Sequence, residues 1–136
     1  MGVGNWELGV TMAVLSYRDL NVWQKAMDIA AAVYQLTKPF PQSELYGLTT
    51  QMRRAAVSIA ANIAEGHGRE TSGAYIQFLR IAQGSLKELE THIFLAQRVD
   101  LVGSDQIEPI LDECDKLGRM LRALIRAIQE KTRSEE

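Results

Sequence analysis

Apolar positions recur along this chain at alternating intervals of four and three residues. Val22, Ala26, Ile29, Val33 and Leu36 make the first such series, a spacing that lines one face of a helix. Asn21 suits the N-cap of that helix. Pro39 and Pro41 stop it near Thr37, because neither donates a backbone hydrogen bond and each disfavours helix in the residue before it.

A second helix reads differently on each of three sides. Leu48, Met52, Ala55, Ile59 and Ile63 form an apolar stripe, and Ala56, Ala60 and Ala64 form a stripe without bulk that another backbone can approach. Arg54, Ser58, Asn62 and Glu65 form a polar stripe, with Arg53 beside it. Ser43 to Gly47 reads as the turn leading in, and Gly66 and Gly68 give the exit its conformational freedom.

The third series is the longest: Tyr75, Leu79, Ala82, Leu86, Leu89, Ile93 and Ala96, with Thr71 or Ser72 as the cap. Gly103 and Ser104 divide it from Ile107, Ile110, Cys114, Leu117, Leu121, Leu124 and Ile128. Pro109 fits only near the start of that last helix, so an irregular or lightly kinked first turn is expected.

These patterns predict helices over about 22–37, 48–65, 72–99 and 105–130 within one domain, 17–130. Residues 1–16 show no sustained period and read as an irregular extension, and 131–136 read as a frayed tail. A repeat of about 3.5 residues lies below the 3.6 of a straight helix, which predicts left-handed packing at roughly +20°. Short connections then give an all-α, antiparallel up-down-up-down four-helix bundle.

Large apolar side chains also stand off the seams: Trp23, Met27 and Tyr34 on the first helix, Ile76, Phe78, Ile81, Phe94 and Leu95 on the third, Ile125 on the fourth. A lone bundle cannot cover them all, and exposed patches of that size mark partner contacts. The pattern therefore predicts a homo-oligomer.

The run YGLTTQMRRAAVSIAANIAEGHGR, preceded by YRDLNVWQKAMDIA and followed by FLRIAQGSLKELET, resembles the four-helix-bundle proteins encoded within intervening sequences of large-subunit ribosomal RNA genes. The resemblance spans about Tyr17 to Arg126. It implies an antiparallel bundle assembled as a ring, a homopentamer, with no established enzyme activity. Members usually begin near the YRDL motif, which makes Met12 an alternative start. More distantly the chain is similar to accessory proteins of diversity-generating retroelements, basic pentamers that bind a reverse transcriptase and RNA. This chain, unlike them, is not basic.

Its 15 basic and 17 acidic side chains give a net charge of −2, which excludes nucleic-acid binding through overall charge and leaves only local basic patches. One cysteine, Cys114, excludes an intramolecular disulfide and suits a reducing compartment. No apolar run reaches the ~18 residues of a membrane span and the amino terminus has no basic leader. A cytoplasmic location without membrane partners is the expectation.

Two constellations carry candidate chemistry. Arg53 and Arg54 can grip a phosphate or a carboxylate in bidentate fashion, or pair internally within the polar stripe. The last helix is divided in charge, acidic at Asp105, Glu108, Asp112, Glu113 and Asp115 and basic beyond. That division favours the helix dipole, and Asp112 with Lys116 and Asp115 with Arg119 stand in the favourable i,i+4 order. In an up-down-up-down bundle, Arg126, Lys131 and Arg133 would meet Arg18, His67 and Arg69 at one end. A ring would repeat that cluster into a polyanion site of steep salt dependence.

Catalytic patterns are absent by spacing. Neither His67 nor His92 has a second histidine or a cysteine at zinc-ligand spacing, and the Glu-x-x-His motif of di-iron bundles does not occur. Ser85 lies in a helical run rather than a strand-to-helix nucleophile turn, and Gly84 beside it reads as a point of close helix contact. Cys114 on a seam reads as a small buried hydrophobe. The expectation is a scaffold without enzyme activity, cofactor or metal, binding RNA or DNA or a ribonucleoprotein partner through Arg53, Arg54, Arg69, Arg126, Lys131 and Arg133. The alternative is a protein-interaction module whose inter-subunit groove takes a partner helix or peptide through residues such as Trp23 and Phe94.

Overall fold

The computed structural model describes residues 16–135. Residues 1–15, almost the whole of the expected N-terminal extension, and Glu136 lie outside the described residues. Four helices carry the fold: α1 Asn21–Thr37, α2 Thr50–His67, α3 Ser72–Arg98 and α4 Ser104–Glu135. Single turns of 3-10 helix at Tyr17–Asp19 and Gln42–Glu44 and a π-helical turn at Leu45–Thr49 join them, with no strand among the described residues.

The entry to α1 departs from expectation. Leu20, not Asn21, holds the N-cap position, and no side chain caps the helix. The 3-10 turn does that work instead: Leu20 N–H donates to the Tyr17 carbonyl at 3.0 Å, and the extended Leu20 offers its own carbonyl to Gln24 N–H at 3.1 Å. At the exit the Thr37 hydroxyl donates back to the Val33 carbonyl at 2.8 Å, one turn ahead of Pro39.

The start of α2 lies two residues beyond the expected Leu48, because Leu45–Thr49 is wound as a π turn in which Gly47 departs from helical backbone angles. Glu44 accepts from Leu48 N–H there at 3.3 Å. Thr71 caps α3 as predicted, accepting from Ala74 N–H at 3.2 Å. The other end of α3 is a Schellman motif. Leu101 N–H reaches the Ala96 carbonyl at 2.9 Å and Asp100 N–H reaches Gln97 at 3.1 Å, with Asp100 in the left-handed region at φ 64°.

Helix α4 runs through Pro109 without a break and continues to Glu135. The expected frayed tail is therefore helical as far as it is described: Thr132 and Ser134 each bond back to the carbonyl four residues earlier, at 2.9 Å.

One apolar core runs through all four helices. Every predicted seam residue of α1 is buried, as are Met52, Ala55, Ile59 and Ile63 of α2 and Leu79, Ala82, Leu86, Leu89, Ile93 and Ala96 of α3. Each large side chain so buried contributes roughly 1.5–3 kcal/mol. The α4 seam holds through Leu121, then Ile125, expected outside, is buried at 4% exposure. Leu124 and Ile128 only flank the core. A straight helix drifts about 20° per heptad relative to a strict seven-residue repeat, and by this point the drift has carried residue 125 inward.

The most extensive helix interface joins α2 to α3, and α1 packs on α2 and α4, α3 on α4. Gly66 marks a close approach of α2 and α3, with Phe78 and Tyr75 directly opposite it. Gly84 does not play the role expected of it: nothing lies within 4 Å of the place its side chain would take, because it faces outward.

Candidate functional site

The polar stripe of α2 is largely satisfied from within. Ser58 Oγ and Ser85 Oγ lie 2.9 Å apart, tying α2 to α3. Asn62 donates to the Ser58 carbonyl at 2.8 Å and to its hydroxyl at 3.0 Å. Glu65 accepts from Arg69 at 3.2 Å. Ser85, 8% exposed, has its hydroxyl engaged in that pair.

Arg53 and Arg54 part company. Arg53 is held by its neighbours: its Nε donates to Thr37 Oγ1 at 2.9 Å, and its guanidinium lies 4.5 Å from the centre of the Tyr34 ring. Arg54 is exposed and forms no ion pair with a described residue. The two line one open cleft of about 590 Å³ with Tyr34, Thr50, Val57 and Ser58.

Through Tyr34 and Val57 that cleft adjoins an apolar groove of about 460 Å³ between α1 and α2, walled by Trp23 and Met27 and floored by alanines, Ala60 and Ala64 among them. The alanine stripe thus does two things. Ala56 is fully buried, while Ala60 and Ala64 open the groove.

Of the nine apolar side chains expected off the seams, Ile125 is buried, and Met27, Tyr34, Ile81, Phe94 and Leu95 are exposed, Phe94 at 52%. Trp23, Ile76 and Phe78 are half-buried. Trp23 and Ile76 rest against the core, Trp23 also meeting the Tyr17 ring edge-on at 5.3 Å. Phe78 closes over Gly66 and carries the Arg69 guanidinium 4.7 Å above its ring. Val57 and Val99, not singled out by the sequence pattern, are exposed as well.

The predicted basic end is dispersed among local partners. Arg69 is engaged by Glu65 and Phe78, His67 stacks edge-on with Tyr75 at 5.9 Å, and Arg133 pairs with Glu130 at 3.2 Å. Lys131 is exposed. Arg126 instead meets Arg80 and Arg122, which line one cleft with it between α3 and α4. Arg122 stands one turn before Arg126 on α4, though the sequence pattern singled out only Arg126. Arg80 joins them only through helix packing, and so was missed.

On the acidic half of α4, Lys116 pairs with Glu113 at 3.2 Å rather than with Asp112, and Asp115 pairs with Arg119 at 2.7 Å as expected. Glu113 also receives Lys25 from α1. The hydrogen bonds from Lys25 and Lys116 hold its carboxyl below the usual 4.5. Burial pushes the Cys114 thiol up to about 12, which keeps it protonated and unreactive at neutral pH. Burial likewise raises Tyr75. Among the described residues no group of three His, Cys, Asp or Glu side chains gathers as a metal site requires.

The sequence pattern of the family described as "23S rRNA-intervening sequence protein" matches residues 18–123. The chain belongs to that family. The match takes in α1 to α3 and α4 as far as its basic half, so both clefts lie in family territory except for Ile125, Arg126 and Gln129. A crystal structure described as a protein of unknown function from the S23 ribosomal protein family of Bacteroides thetaiotaomicron VPI-5482 superposes with a TM-score of 0.69 at 23% identity, over 76% of this chain and 97% of that one. That likeness supports the four-helix fold. No curated protein matches the chain. No helix of the described residues is long and apolar enough to cross a membrane.

Proposed function

We propose that this family member is a non-enzymatic scaffold whose four helices run up-down-up-down and whose copies close into a ring, a pentamer as the family resemblance implies. The topology is supported by the contacts between helices. Thr37 late in α1 meets Arg53 early in α2, Gly66 late in α2 meets Phe78 early in α3, and Lys25 early in α1 meets Glu113 of α4.

The observation that carries the ring is apolar surface on two separate faces. Met27, Tyr34 and Val57 lie along the α1–α2 groove, and Ile81, Phe94, Leu95 and Val99 lie along α3. Two different faces suit a heterologous, head-to-tail contact, which closes into a ring when its rotation allows. Multi-angle light scattering tests it: a ring gives several times the protomer mass, and a monomer at micromolar concentration overturns it.

In the same reading the ring holds RNA or a ribonucleoprotein in the cytoplasm through arginines that repeat around its axis. Support comes from Arg54, Arg80, Arg122 and Arg126, none of which forms an ion pair with a described residue. Repetition of such patches allows polyanion binding at a net charge of −2. Filter binding of labelled RNA and DNA across a salt series decides the matter, and no retention even at low salt rejects it.

A second reading moves the partner-helix groove from between subunits to within the protomer, and is favoured by the α1–α2 groove, apolar along its floor and bordered by Arg54. A helix with an apolar face and a carboxylate at one edge would fit there. If the ring forms and covers this groove, that reading falls.

A further inference from the structure

We propose that the cleft between α3 and α4 is a binding site for a phosphoryl oxyanion, gripped by Arg80, Arg122 and Arg126. The three arginines line one cleft of about 170 Å³ together with Gln83, Gln129 and the buried Ile125. It is distinct from the Arg53–Arg54 cleft.

The cluster is costly without a ligand. Arg122 and Arg126 stand at i and i+4, an arrangement in which like charges repel, and Arg80 adds a third positive charge from the facing helix. The nearby carboxylates are committed elsewhere. Glu130, one turn beyond Arg126, binds Arg133 at 3.2 Å, and Asp115 binds Arg119 at 2.7 Å. Arg80 has no acid three or four residues away on α3, where Ile76, Gln77, Gln83 and Gly84 stand. Its charge therefore has no helical partner.

The chemistry fits a tetrahedral oxyanion better than a carboxylate. A guanidinium presents paired N–H donors in a plane that matches two oxygens of a phosphate. Three of them, on two helices, can address oxygens from separate directions, and the amides of Gln83 and Gln129 add neutral donors. The half-buried Gln83 and the buried Ile125 limit water beneath the site, which strengthens the attraction. The Arg122 Nη1 lies 3.8 Å from where a side chain on Gly118 would begin, so the guanidinium lies back along α4. The donors sit on helices rather than a loop, so binding orders only the three arginine side chains and no backbone.

The test uses the full chain and inorganic phosphate as probe, read by the side-chain Nε–H signals of arginine at constant ionic strength. Saturable shifts confined to Arg80, Arg122 and Arg126, and lost in Arg80→Gln/Arg122→Gln, are the expected result. These positions are exposed, and an unchanged circular dichroism spectrum checks that the variant folds. Shifts that spread evenly over all exposed arginines, or that persist in the variant, overturn the proposal. A labelled single-stranded RNA assigns the source of the phosphoryl group. If it is the RNA backbone, the double variant lowers the slope of log K against log salt by about 1.4, about 0.7 for each lost contact. Saturation by phosphate with no RNA binding would leave the cleft standing for a free phosphoryl group, and would remove the RNA part of the proposed function.

Discussion

Phe78 Cβ lies 2.8 Å from the point a Cβ on Gly66 would occupy, with the Tyr75 backbone carbonyl 3.3 Å away. The most extensive interface of the molecule thus depends on a residue without a side chain near its end. An added methyl would push α3 away from α2 or force Phe78 from its place, an overpacking that costs typically 1–3 kcal/mol. Gly66→Ala is expected to lower the urea midpoint accordingly. Gly84, in the middle of α3 with open space around it, is the control. There alanine improves helix propensity by about 1 kcal/mol, and Gly84→Ala should raise the midpoint. Equal losses at both positions would contradict the account of the interface.

The Ser58–Ser85 hydrogen bond offers a second measurement on that interface. Ser58→Ala leaves the buried Ser85 hydroxyl without its partner, at a cost of about 1–3 kcal/mol. Ser85→Ala costs less, since Ser58 Oγ keeps the Asn62 amide at 3.0 Å. Removing both serines should cost little more than Ser58→Ala alone, giving a non-additive cycle in chemical denaturation. Strict additivity would mean that the two hydroxyls do not interact in solution.

Local pattern reached far into this fold and only part of the way into its site. The α1 and α3 seams read correctly because one face of each helix meets the core along its whole length, so periodicity and burial coincide. The α4 seam read correctly only to Leu121. Extending a strict heptad to Leu124 and Ile128 ignored the accumulated drift that buries Ile125. Asn21 was misread for a different reason: a cap is a matter of backbone angle, and Leu20 already has the extended conformation that position needs. The site was legible where its residues share a helix, as with Arg53 and Arg54. It was illegible where packing supplies the partner, as with Arg80 across the cleft or Tyr34 beneath Arg53.

Lys25 and Lys116 converge on Glu113, the first reaching across from α1. Because both amines favour the ionised carboxylate, its folded pKa lies below the 4.5 of the unfolded group. A group depressed in this way contributes stability that is fully present above the unfolded value and lost as pH falls through the folded one. The urea midpoint should therefore decline from pH 4.5 downward. Glu113→Gln, which cannot ionise, should show a shallower acid limb than the wild type and a lower midpoint at neutral pH. Identical acid limbs would show that the two amines leave the carboxylate unfavoured in solution.

Phe94 gives the sharpest test of assembly, because at 52% exposure it contributes little to the core of its own protomer. A surface change away from core, caps and networks usually stays within about 0.5 kcal/mol, so Phe94→Glu should leave the fold of a protomer intact. At an interface the same change places a charge where an aromatic ring was buried, and removing an anchoring ring there costs about 2 kcal/mol or more per contact. A closed ring repeats that loss at every contact. Light scattering should then report protomers for Phe94→Glu where the wild type reports the ring, with unchanged helix content. Thermal melting supplies a second readout, since association makes the midpoint depend on protein concentration. That dependence should be present in the wild type and absent in the variant. A wild-type midpoint already independent of concentration, together with a protomer mass, would mean that the apolar faces of α1 and α3 serve something other than a second copy of the chain.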